Sequence, residues 1–128
     1  MNKVVLDASA LLALIKYETG ATEVEKLLGN IIMSSVNVSE VAAILLDSDM
    51  TEEECKNSIE PFISSIIPFD SEQSFLSALL KKHTKHKGLS FGDRACIALG
   101  IKLNVSIYTA DKAWYNLEIN QADIKLIR

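Results

Sequence analysis

The sequence predicts an α/β fold in which a mostly parallel sheet of about five strands is covered by helices on both faces. Five short apolar runs alternate with helix-forming segments along the whole chain, and the first run, Val4 to Leu6, is rich in valine. Such alternation is typical of βαβ units, and strands that are buried on both faces are continuous apolar runs. A length of 128 residues indicates one domain, residues 1–128.

The elements can be placed from periodicity and from capping signals. Strands are predicted at 3–6, 31–33, 66–69, 105–108 and 124–127. Helices are predicted at 8–17, 22–29, 37–46, 51–64, 71–86, 90–104 and 110–117. Thr22 and Thr51 are each followed three residues later by a glutamate, which is typical of a capping box. Gly88 marks the end of the longest helix.

Composition limits the class of protein. The formal net charge is −4, which excludes a nucleic-acid binder that works by bulk positive charge but not one that recruits divalent cations. The isolated cysteines, Cys55 and Cys96, indicate a reduced, cytoplasmic protein. No run approaches the roughly 18 apolar residues of a membrane span. We also expect no signal peptide, because Asp7 interrupts the first apolar run.

Four of the 17 acidic residues lie where solvated acids are not expected. Asp7 and Asp111 each follow a predicted strand, whereas Glu40 and Asp93 lie on apolar faces of predicted helices. A lone charged carboxylate on such a face costs several kcal/mol. These four acids are therefore candidates for a functional site.

Local structural roles offer an alternative for each acid. Asp7 and Asp111 could each be a helix N-cap, and Asp93 could complete a capping box that starts at Ser90. Glu40 could pair with an arginine, of which the chain has two, Arg94 and Arg128. The sequence alone leaves these alternatives open.

The joint pattern favours a metal site. Strand ends and the first turns of the following helices meet at one edge of a parallel sheet, so all four acids can point to the same place. Converging carboxylates must either protonate or bind cations, and ligands that are all oxygen suit Mg²⁺ or Mn²⁺. Two such ions about 3.5–4 Å apart can activate water and stabilise the leaving oxygen of a phosphodiester.

Four segments, at 4–13, 35–41, 89–96 and 108–114, carry these acids. In this order and at these separations they resemble the PIN-domain nucleases, in particular the VapC-like toxins of bacterial toxin–antitoxin modules. The resemblance implies a three-layer α/β/α sandwich. It also implies a Mg²⁺- or Mn²⁺-dependent endoribonuclease that cuts single-stranded regions of RNA.

The resemblance also assigns residues and partners. It gives the metal-binding and catalytic roles to Asp7, Glu40, Asp93 and Asp111, and supporting roles to Ser9 and Thr109. It implies a homodimer, and an antitoxin that covers the active site and joins the toxin in binding operator DNA. Two alternatives stay open: a PIN nuclease that processes RNA without being a toxin, and a catalytically inactive binding protein.

One basic run and one arginine are candidate RNA contacts. Lys81, Lys82 and Lys85 end a predicted helix, where lysines also offset the helix dipole. Arg94 follows Asp93 and could contact a phosphate or pair with a neighbouring acid. Contacts of this kind to phosphate would serve RNA binding.

Overall fold

A computed structural model describes residues 2–128, so Met1, the first residue of the predicted domain, lies outside the described residues. Five strands form one sheet: β1 Val4–Leu6, β2 Ile31–Ser34, β3 Ser65–Ile67, β4 Ser106–Thr109 and β5 Asp123–Leu126. Their order is β3-β2-β1-β4-β5, and every neighbouring pair is parallel. The predicted parallel sheet of five strands is confirmed.

In the part of the chain that the structure describes, six α-helices connect the strands: α1 Ala8–Ile15, α2 Ala21–Glu25, α3 Ser35–Asp47, α4 Glu52–Ile59, α5 Ser71–Thr84 and α6 Phe91–Leu103. Three short 3-10 segments follow helices or strands: Glu60–Phe62, Lys85–Lys87 and Lys112–Asn116. Within residues 2–128, none of the helices combines the length and the apolar character that a membrane crossing requires.

Several predicted boundaries were wrong for identifiable reasons. The helix predicted to start at Thr22 begins at Ala21, after Gly20, whose φ of 100° lies in the left-handed region. The helix predicted to reach residue 64 ends at Ile59, because Pro61 introduces a 3-10 turn. The helix predicted at 110–117 is a 3-10 segment. The capping box at Thr51 is confirmed.

The two faces of the sheet are both covered. Val4 and Leu6 pack into an apolar cluster with residues of α1 to α4, while Val5, which points the other way, packs with residues of α6 and with Trp114. This alternation is the period-two geometry of a strand. The result is the expected three-layer α/β/α sandwich.

The direction of winding reverses at β1. β2 and β3 lie on one side of it, and β4 and β5 lie on the other. In open α/β sheets, ligands bind at such a switch point, outside the carboxyl ends of the strands. The edge of the sheet at which the strands end is called the carboxyl edge below. Asp7 follows β1 at this edge, and Thr109 ends β4 beside it.

Helices α5 and α6 form an antiparallel pair. Lys102, near the end of α6, forms an ion pair with Asp70 at the start of α5. Farther along, Arg94 Nη1 donates to the carbonyl of Ser77 at 3.2 Å. The carboxyl end of α5, which carries Lys81 and Lys82 and is followed directly by Lys85, therefore lies towards the amino end of α6.

Candidate metal centre

Asp7 occupies the centre of the carboxyl edge. Its side chain is 5% exposed and caps α1, with Oδ1 accepting from the backbone N–H of Ala10 at 2.9 Å. Oδ1 and Oδ2 lie 2.8 and 2.9 Å from Ser9 Oγ, and Oδ2 accepts from Thr109 Oγ1 at 2.6 Å. The carboxylate thus joins the end of β1, the start of α1 and the end of β4.

The environment of Asp7 opposes its charge. The pKa of Asp7 is raised from 3.8 to about 6, mainly by burial and to a smaller extent by the negative charge of Asp93. Hydrogen bonds from Thr109, Ala10 and Ser9 lower the pKa but do not compensate for the lost hydration. At neutral pH Asp7 is therefore a buried anion whose charge is only partly compensated, and a nearby cation would favour it.

Ser9 and Thr109 lie where the sequence predicted supporting residues. Ser9 Oγ accepts from the backbone N–H of Ala110 at 2.9 Å and lies 3.3 Å from Thr109 Oγ1. Thr109 Oγ1 accepts from the backbone N–H of Asp111 at 3.0 Å. Because each hydroxyl accepts from a backbone N–H, its own proton is available to Asp7.

The charges of three carboxylates reach one buried thiol, that of Cys96. Burial raises the pKa of Cys96 well above its ordinary value, and the charges of Asp7, Asp93 and Glu40 raise it further. Asp93 completes a capping box on α6, with Oδ2 accepting from the backbone N–H of Ser90 at 3.0 Å. The charges of these three acids therefore act on the same small region.

Asn37 is a residue of the site that sequence analysis missed. Its side chain is 1% exposed, and its Nδ2 donates to Glu40 Oε1 at 2.8 Å and to the carbonyl of Gly92 at 3.0 Å. The spacing of three residues to Glu40 on one helix was a readable signal. The contact with Gly92, 55 residues away, was not.

Asp111 is placed at the same edge but is exposed. Its Oδ1 accepts from the backbone N–H of Ala113 at 2.9 Å, so the side chain caps the 3-10 segment Lys112–Asn116. Its own backbone N–H donates to Thr109, which donates to Asp7. Asp111 is therefore linked to the buried acid through one hydroxyl.

The four candidate carboxylates lie at the same edge of the sheet but do not converge on a single point. Within residues 2–128, no three His, Cys, Asp or Glu side chains are grouped as a ready ion-binding cluster. Mg²⁺, however, is usually held through one or two carboxylates together with waters and substrate phosphates. Capping takes one oxygen each from Asp93 and Asp111 and leaves the other. The donor set therefore fits a hard divalent cation.

Basic side chains near the site do not neutralise it. Among the ion pairs of the described residues, none includes Asp7, Glu40, Asp93 or Asp111. Arg94 donates to Ser77 and lies 5.7 Å from the ring centre of Phe91, so the alternative of pairing with an acid is not realised. The candidate contacts Lys81, Lys82 and Lys85 are exposed.

The strand order and the acids at the carboxyl edge define a parallel α/β domain with an acidic candidate site. The chain belongs to the PIN domain family, whose family model matches residues 4–120. A comparison with curated protein sequences finds no match.

Solved structures resemble the fold over nearly the whole chain. VapBC2 from Rickettsia felis, bound to a promoter DNA fragment, is 20% identical with a TM-score of 0.72, covering 96% of this chain and 97% of that chain. DNA-bound VapBC from Salmonella typhimurium is 17% identical with a TM-score of 0.75, covering all of both chains. FitAcB from Neisseria gonorrhoeae is 17% identical with a TM-score of 0.69, covering 94% of this chain and 95% of that chain. At these identities the likeness shows the fold.

We predict that Asp7→Asn stabilises the metal-free protein at neutral pH. The pKa of Asp7 is raised from 3.8 to about 6, so the folded protein binds this proton more tightly than the unfolded chain does. Protonated Asp7 therefore stabilises the folded state at low pH, and this stabilisation is lost as the pH rises from about 4 to 6. In EDTA the free energy of unfolding of the variant should be about 2–3 kcal/mol larger than that of the wild type above about pH 7. The difference should vanish below about pH 4. Denaturant unfolding across pH measures this.

Asp70→Asn is the matched control, because Asp70 also caps a helix through its side chain. The hydrogen bond from Lys102 lowers the pKa of Asp70, so its contribution to stability is present at neutral pH and is lost on acidification. This variant should therefore lose stability at neutral pH. An Asp7→Asn variant that is less stable than the wild type throughout would contradict the buried-charge interpretation.

Proposed function

We propose that the chain is a Mg²⁺- or Mn²⁺-dependent endoribonuclease that hydrolyses RNA phosphodiester bonds, with Asp7, Glu40, Asp93 and Asp111 as its metal-binding and catalytic carboxylates. The observation that carries the proposal is the Asp7 carboxylate, which is buried and hydrogen-bonded and whose pKa is raised in part by the negative charge of Asp93. Membership of the PIN domain family supports nuclease chemistry.

Each residue has a defined part in the proposed site. Ser9 and Thr109 fix the Asp7 carboxylate from two sides, so that it meets a cation with little reorganisation. Asp93 and Asp111 are fixed by capping bonds. A divalent ion held there would supply a water of lowered pKa and would stabilise negative charge on the phosphate.

Basic residues next to the acids would receive the substrate backbone. The exposed lysines Lys81, Lys82 and Lys85 lie towards the amino end of α6, which carries Asp93. Arg94 is fixed between Ser77 and Phe91. We propose that these four cations contact RNA phosphates, which a chain of net charge −4 would otherwise repel.

We further propose that the nuclease is the toxin of a toxin–antitoxin pair. Structural neighbours from Rickettsia felis, Salmonella typhimurium and Neisseria gonorrhoeae are VapBC or FitAcB structures, and two of them contain DNA. The chain would accordingly form a homodimer, bind a cognate antitoxin and reach operator DNA through that complex. Phe75 and Leu79, one turn apart on α5 and 75% and 54% exposed, support the presence of a protein partner.

We predict that the purified protein cleaves a mixed RNA pool with Mg²⁺ or Mn²⁺ and that EDTA abolishes cleavage. Asp7→Asn and Asp93→Asn should each lose at least about 100-fold in rate, because loss of a residue that only supports a metal ligand already costs about 10–100-fold. Gel analysis of initial rates measures this.

Two variants serve as matched controls for this experiment. Asp70→Asn changes a helix N-cap, and Glu54→Gln changes the third residue of a capping box. Neither side chain is hydrogen-bonded to any of the four acids. They should cleave at the wild-type rate. Unchanged cleavage by Asp7→Asn and Asp93→Asn would contradict the proposed site.

We predict that induced expression of the wild-type chain arrests bacterial growth, because a free ribonuclease toxin depletes cellular RNA. Asp7→Asn should relieve the arrest, and co-expression of a cognate antitoxin should restore growth. Culture density after induction measures both effects. Metal-dependent cleavage in vitro without any effect on growth would instead indicate an RNA-processing nuclease.

A further inference from the structure

Asn37 is a buried amide that connects two helices at the carboxyl edge. It lies on α3, is 1% exposed, and donates from Nδ2 both to Glu40 Oε1 and to the Gly92 carbonyl on α6. Both partners are acceptors only, so the orientation of the amide is fixed: the alternative would place Oδ1 against two oxygens.

This orientation leaves Asn37 Oδ1 buried and without a hydrogen-bond partner among the described residues. A buried acceptor without a donor destabilises the folded state, and an apolar side chain of similar size would avoid that penalty. The position is therefore poorly explained by stability alone. What distinguishes it is the pair of groups that Nδ2 holds.

Glu40 is confined from a second direction. A Cβ atom built at Gly92 would overlap with the Glu40 carboxylate, so the carboxylate lies directly against the α6 backbone. A glutamate side chain otherwise has several rotamers, and fixing one of them has an entropic cost. The amide of Asn37 and the backbone at Gly92 together hold the carboxylate in one place.

We infer that Asn37 is a positioning residue, which sets the Glu40 carboxylate for divalent-cation binding and fixes its distance from Asp93. The inference rests on the proposed function. One Nδ2 group holds Glu40 on α3 and the carbonyl of Gly92, the residue before Asp93, on α6. The buried amide of Asn37 thereby sets the positions of two acids on different helices, Glu40 on α3 and Asp93 on α6.

Gln73 offers a matched control within the same chain. It is also a fully buried amide, its Nε2 donates to the Pro68 carbonyl at 3.0 Å, and its Oε1 is likewise without a partner among the described residues. Its bonds involve none of the four acids. Gln73→Ala therefore reproduces the loss of a buried amide without touching the proposed metal site.

The test measures Mn²⁺ affinity by electron paramagnetic resonance, without RNA, for the wild type, Asn37→Ala and Gln73→Ala. We expect Asn37→Ala to weaken Mn²⁺ binding about 10-fold, within the range found when residues that orient metal ligands are removed. Gln73→Ala should bind Mn²⁺ like the wild type. Asn37→Ser provides a hydroxyl donor in place of the amide, and its Mn²⁺ affinity should lie between those of Asn37→Ala and the wild type. It serves as the second variant if Asn37→Ala folds poorly.

A double-mutant cycle distinguishes positioning from a general structural role. In a Glu40→Ala background, Asn37→Ala should have no further effect on Mn²⁺ affinity, because the group it positions is gone. Equal loss in both backgrounds, or equal affinity of Asn37→Ala and Gln73→Ala, would overturn the inference while leaving the proposed function intact. A wild-type chain that binds no Mn²⁺ and cleaves no RNA would overturn both.

Discussion

The burial of one negative charge constrains the carboxyl edge of this protein. Asp7 lies where the winding of the sheet reverses, and burial raises its pKa to about 6 despite bonds from two hydroxyls and a backbone N–H. The same bonds tie together the ends of β1 and β4 and the start of α1. A rigid anion is therefore built into the position at which open α/β sheets bind their ligands.

Helix capping and the proposed metal binding use the same side chains without conflict. Asp7 caps α1, Asp93 completes the capping box of α6, and Asp111 caps a 3-10 segment, each through backbone N–H groups. The partial positive charge at a helix amino terminus offsets some of the repulsion between neighbouring acids. Because a carboxylate has two oxygens, a cap that uses one of them also orients the other.

The sequence predicted the features that depend on local pattern and missed those that depend on distant contacts. Alternating apolar runs were enough for the parallel sheet, and Thr51 was recognised as a cap because its partner Glu54 is three residues away. Thr22 has the same pattern, yet Gly20, which packs against Ile127 from the other end of the chain, sets the start of α2. Whether Asp7 was a cap or a functional residue could not be decided, since one side chain can serve both roles. The contact of Asn37 with Gly92 and that of Arg94 with Ser77 each cross to another helix, where no periodicity reveals them.

The most direct test of the central claim is thermal unfolding of the wild-type protein during a Mn²⁺ titration at several pH values. If a divalent cation compensates the buried charge of Asp7, the unfolding midpoint at neutral pH rises with Mn²⁺ concentration, as expected for a ligand that binds only the folded state. The rise should shrink as the pH falls below about 6, because protonated Asp7 no longer attracts the ion. A midpoint at neutral pH that is the same with and without Mn²⁺ would contradict the claim.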